Sequence, residues 1–124
     1  DETLTNLYVQ DIVGEYITLQ RNSILGYEIY ITKLETGGTS GNVGDFSYRV
    51  QRGVVKCDNV GAITIITHST KTIGKIGHNG AFSVIDSTVG SVPSVTIQVQ
   101  GLADVNNLWS ATAYLHELAT NIAI

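Results

Sequence analysis

Leu-Gly-Tyr-Glu-Ile-Tyr-Ile-Thr-Lys-Leu-Glu, residues 25–35, decides the fold class. Its side chains alternate with a period of two. Tyr27, Ile29, Ile31 and Lys33 fall on one face, and Glu28, Tyr30, Thr32 and Leu34 on the other. A helix would repeat its apolar positions every three to four residues, so this segment reads as a strand. Apolar groups on both faces suggest a strand covered on both sides, or one that borders a subunit contact.

The flanking segments carry the same signature. Residues 43–55 form the clearest half-buried strand, with Phe46, Tyr48 and Val50 on one face and Ser47, Arg49 and Gln51 on the other. Gly53 is expected to end or bulge it. Residues 95–100 alternate Val95, Ile97 and Val99 with Thr96, Gln98 and Gln100. Residues 108–118 place Trp109, Ala111, Ala113 and Leu115 together. Residues 7–19 read as two strands bent at Gly14, and residues 62–68 and 71–76 as two strands separated by a polar turn. The loop at 36–42 is rich in Gly and hydroxyl side chains. Asn79-Gly80 favours a type I′ hairpin turn, which needs φ > 0 at both central residues.

Turn signals every 8–12 residues or so, with no helical stretch between strands, predict an all-β fold. The expected architecture is one antiparallel, jelly-roll-like β-sandwich over residues 1–124, with about nine strands. Ile, Val and Thr supply 41 of 124 residues, a composition that favours strands.

Charge excludes some partners. Charged residues make up 15% and the net charge is -4, against the basic excess needed for nucleic acid or an anionic membrane. No apolar run approaches the roughly 20 residues of a spanning helix. Cys57 is the single cysteine, so an intrachain disulfide is impossible, and it reads as a small core hydrophobe. The sequence contains no Met, which is read as a piece of a longer chain, its C-terminal part.

Motifs for chemistry are sparse. His68, His78 and His116 form no ligand pair, so no metal is expected. Glycosidase chemistry needs two carboxylates about 5–9 Å apart. Nothing singles out Asp11 with Glu15, or Asp45 with Asp58, for that role. Residues 74–80 lack the phosphate-loop order and read as a turn. No catalytic residue and no cofactor is expected. Binding is expected at aromatic groups, which present flat apolar faces with polar tips. Tyr30, Tyr48, Trp109 and Tyr114 are the candidates, with Arg49 beside Tyr48 able to meet a carboxylate. The plain reading is core packing for Phe46, Phe82 and Trp109, and a solvated face for Arg49.

Four segments carry a resemblance: residues 48–52 (YRVQR), the turn at 59–61 (NVG), residues 95–101 (VTIQVQG) and the closing 109–114 (WSATAY). Together they resemble the small β-sandwich or jelly-roll domains that end bacteriophage tailspikes and tail fibres, over residues 25–118 or so. That resemblance implies a non-enzymatic receptor-binding part of the virion tail, working outside the cell. It also implies a homotrimer stabilised by this domain, which contacts bacterial surface polysaccharide. Two other functions fit the residues: a carbohydrate-binding module of a secreted glycan-degrading enzyme, and a virion structural or decoration protein.

Overall fold

The computed structural model describes residues 2–124. Eight strands are formed: β1 (Thr5–Leu7), β2 (Ile17–Thr18), β3 (Ser23–Gly37), β4 (Phe46–Cys57), β5 (Ile63–Ile76), β6 (Ala81–Asp86), β7 (Ser94–Gln100) and β8 (Asn106–Ala119). They make two antiparallel sheets facing each other, the expected sandwich. The larger sheet has the order β5-β4-β3-β8. Its three consecutive strands are joined as hairpins and the last returns beside the first, a Greek-key arrangement. In the smaller sheet β7 pairs with β6 on one edge and with β1 and β2 on the other.

The core follows from the alternation of β3. Leu25, Tyr27, Ile29 and Ile31 point inward, meeting Val55 and Cys57 of β4 and Val95, Ile97 and Val99 of β7. Ile31 and Val55 are fully buried, so truncating either would cost a few kcal/mol. Cys57 is buried and free, and burial raises its thiol pKa.

Three local expectations are corrected. Strand β4 turns its polar face inward, so Ser47, Arg49 and Gln51 are buried while Phe46 and Tyr48 are over a third exposed. The reason is register. The β3–β4 ladder runs unbroken from Ser23↔Cys57 to Leu34↔Phe46, so burying Val55 and Cys57 fixes the side of every other β4 residue. Residues 63–76 form one strand rather than two. The polar stretch is absorbed by two bulges, which leave His68 and Ile73 as the extra residues against β4. Asn79-Gly80 does not close a hairpin, because β5 and β6 belong to different sheets and only Gly80 of the pair has positive φ. A Cβ at Gly80 would come 2.8 Å from the Trp109 ring, so glycine lets the crossing chain pass against that indole.

Residues 7–19 likewise change course between strands. A 3₁₀ turn at Val9–Asp11 separates β1 from β2, which lie in line along one edge of β7.

The β4–β5 turn is held by Asp58, whose Oδ1 accepts the N–H groups of Val60 (3.0 Å) and Ala62 (2.8 Å). These bonds, led by that from Ala62, lower the Asp58 pKa. A carboxyl depressed in the folded state stabilises above its unfolded pKa and loses that contribution as pH falls through the folded value. Asp58→Ala is therefore expected to melt below the native protein near neutral pH. The gap should narrow through the acid limb of a melting-temperature profile. A gap that stayed constant to about pH 2 would show that the carboxylate charge contributes nothing.

Candidate functional site

The even-numbered residues of β3 point away from the sandwich, and the register aligns their neighbours with them. Tyr30 from β3 lies in the middle of this outer face. Tyr48 pairs with Thr32 on one side, and Tyr114 pairs with Glu28 on the other. The three tyrosines thus form a diagonal line across three adjacent strands. Tyr30 stacks on Tyr48 with centroids 6.0 Å apart, and meets Tyr114 edge-on at 6.0 Å. Tyr114 is 62% exposed and Tyr48 39%.

The line is held in place by charge. Tyr30 Oη donates to Glu28 Oε1 at 2.8 Å, and Arg52 Nε donates to Glu28 Oε2 at 2.7 Å. The Arg52 bond, followed by the Tyr30 bond, lowers the Glu28 pKa, while donating its hydrogen bond to Glu28 raises the Tyr30 phenol's own. Glu28 therefore stays ionised as an acceptor and a positioning group. Thr32, Ser110 and Thr112 add hydroxyls around a shallow depression with these tyrosines, of about 560 Å³. Among the residues lining it Glu28 is the single carboxylate, so the depression lacks the two-carboxylate arrangement of glycoside hydrolysis.

Of the five residues singled out from sequence, the structure brings together Tyr30, Tyr48 and Tyr114. Arg49 does not join them. It is 6% exposed on the inner face, donates from Nη2 to the Asn79 carbonyl at 2.8 Å, and lies 4.7 Å over the Phe82 ring. The expectation of a solvated or carboxylate-binding Arg49 is thus corrected by strand parity, since Tyr48 and Arg49 are neighbours and must point apart. Trp109 also faces inward, packed against the core, as does the half-buried Phe82.

Trp109 has a second environment. It lines a cleft of about 400 Å³ between the inner face of β8 and the segment from Leu7 to Ile17, with Tyr8, Tyr16, Asp11 and Glu15 at the other wall. Tyr8 and Tyr16 pack with centroids 5.7 Å apart. Neither tyrosine was among the binding candidates read from the sequence, because the 3₁₀ turn that brings them together follows no strand alternation. Thr32, Ser110 and Thr112 were also missed, although each shares the parity of Tyr30 or Tyr114 on its own strand.

Among the described residues no group of three or more His, Cys, Asp or Glu could hold a metal ion. None of their helices is long and apolar enough to cross a membrane. Compared with protein-family models, curated proteins and solved structures, the chain matches none.

Proposed function

We propose that this chain is a non-enzymatic contact domain that binds polysaccharide on the tyrosine face of its larger sheet. The observation that carries this reading is the line Tyr48–Tyr30–Tyr114, oriented by Glu28 and ringed by hydroxyls. Sugar rings have apolar C–H faces that pack on aromatic surfaces, and their hydroxyls bond to carboxylate and alcohol oxygens. A flat, open, three-stranded surface suits an extended chain of sugars. The resemblance to the terminal domains of phage tailspikes and tail fibres supports the same role, with a bacterial surface polysaccharide as ligand and the virion tail as setting.

A glycan array followed by affinity electrophoresis or calorimetry tests this. Binding is expected to drop about 10-fold for Tyr30→Ala and for Tyr114→Ala, as expected when an aromatic contact is removed. Melting of Tyr114→Ala should shift by only a few degrees, since that side chain is largely exposed. If the folded protein binds no neutral or acidic polysaccharide, the reading falls and a purely structural virion role takes its place. A carbohydrate-binding module of a secreted enzyme would use the same face and would differ in the substrate's source.

A further inference from the structure

We propose that two copies of this chain join edge to edge through β8, antiparallel, about a two-fold axis passing at Ala113. This goes beyond the proposed glycan contact, shares Ser110, Thr112 and Tyr114 with it, and puts a two-fold in place of the three-fold assembly that the tail-protein resemblance implies.

The two edges of the larger sheet differ. An edge strand offers a row of unpaired N–H and C=O groups that will accept another strand unless it is blunted. Strand β5 is blunted by two bulges and carries Lys71 and Lys75. Strand β8 has no bulge and no lysine, and Glu117 near its end is its single carboxylate. Its pairing with β3 runs without a break from Asn107 to Ala119, and it contains no Lys, Arg, Pro or Gly. Leu108, Tyr114, Leu115 and Leu118 along it are 45–68% exposed. The cleft between Trp109, Ala111, Ala113 and Leu115 on one wall and Asp11 and Glu15 on the other lies beneath this edge, so an added strand would also lay alternate side chains over a hollow of mixed polarity.

The sequence of β8 complements itself. Antiparallel pairing centred on Ala113 sets Leu108 opposite Leu118 of the other copy and Ala111 opposite Leu115. Thr112 then meets Tyr114, and Ser110 meets His116. Leucine meets leucine, Trp109 meets Glu117, elsewhere a large side chain meets a small one, and no like charges oppose. Centring on Thr112 instead would set Leu108 against His116, and centring on Tyr114 would set Leu118 against Ser110. The 11 residues from Leu108 to Leu118 give a seam roughly 37 Å long and about 10 Å thick. That geometry corresponds to about 800 Å² over both copies, below the roughly 1,000 Å² of a stable interface, so a weak, transient assembly with a Kd of about 100 µM is expected. A two-fold perpendicular to the sheet keeps both tyrosine lines on one side of a continuous eight-stranded surface.

Sedimentation velocity from about 1 to 500 µM tests the seam, a range set by the expected affinity. A monomer–dimer equilibrium is expected. Leu108→Lys/Leu118→Lys should weaken it at least about 30-fold, because two introduced lysines then face each other at each end. Leu108→Lys/Leu118→Glu should restore it, since each introduced lysine then faces an introduced glutamate. Far-UV circular dichroism and melting establish that both variants fold. A native protein monomeric throughout the range overturns the proposal. So does a dimer indifferent to the paired lysines, or a trimer, which would favour the three-fold assembly of tail proteins.

Discussion

Gly53→Ala is expected to lower stability by about 3 kcal/mol, the upper part of the range for overpacking, although it adds a single methyl group. Gly53 pairs with Tyr27 of β3 on the buried side of the sheet. A Cβ there would lie 2.5 Å from the Tyr27 hydroxyl oxygen and 2.6 Å from its ring carbon, and would also press on the Ile66 carbonyl. Neither neighbour can give way cheaply. Tyr27 is 6% exposed, and its hydroxyl donates to Gln51 Oε1 at 3.3 Å and lies 3.3 Å from Thr67 Oγ1. The Ile66 carbonyl belongs to β5 beside the bulge at His68, so moving it disturbs the ladder where it is already irregular. For a domain of this size the loss corresponds to a melting temperature lower by roughly 10 °C or more. Gly74→Ala is the control on the same sheet. A Cβ at Gly74 meets nothing within 4 Å, so its effect should stay within about 0.5 kcal/mol. Urea denaturation of the two variants checks both values. Equal effects would mean that the loss reflects strand glycines in general, not the space Tyr27 occupies.

Gly53 also shows what the sequence could convey. A glycine within a strand pattern signals a bulge or a close approach, and here the approach is real while the bulge falls on the facing strand. The alternation at residues 25–35 was readable because β3 is central and every inward residue from Ser23 to Glu35 is buried. The orientation of β4 was not readable from its own residues. Phe46, Tyr48 and Val50 look like a core face, yet parity is set a full strand length away by Val55 and Cys57. The candidate site divides along the same line. Tyr48 and Arg49 are adjacent, and Trp109 and Tyr114 are an odd number of residues apart on one strand, so no extended chain could present all four on one side. Which member of each pair would be outside depends on which face the smaller sheet covers, and that is a tertiary fact. The cleft at Tyr8, Tyr16 and Trp109 depends on contacts across some hundred residues and left no local trace.

The inward face of β4 leads to the other large expected effect. Arg49→Ala should cost about 3 kcal/mol, through lost packing between the sheets and loss of the shorter of two bonds to the Asn79 carbonyl, the other being from Ser47 Oγ at 3.4 Å. The guanidinium is the donor at 2.8 Å to the Asn79 carbonyl, and it covers the Phe82 ring at 4.7 Å. Both contacts tie the chain crossing from β5 to β6 onto β4. Removing the side chain frees that crossing and leaves a void. The charge itself is a different matter. Arg49 Nε is buried without a partner, and burial lowers the guanidinium's pKa. Lys33, 1% exposed on the same inner face, is likewise driven toward its neutral form by burial, opposed by the nearby Glu35 carboxylate. Two cations thus share one buried end of the sandwich. Arg49→Met keeps most of the stem's volume and removes one of them, so it should cost about 1 kcal/mol or less. The pair of variants separates volume from charge. If Met is as damaging as Ala, the bond to Asn79 dominates and the cation is needed to hold the crossing. If Met is neutral or stabilising, Arg49 acts mainly through packing, and its charge carries a net cost that the apolar half of the core must offset.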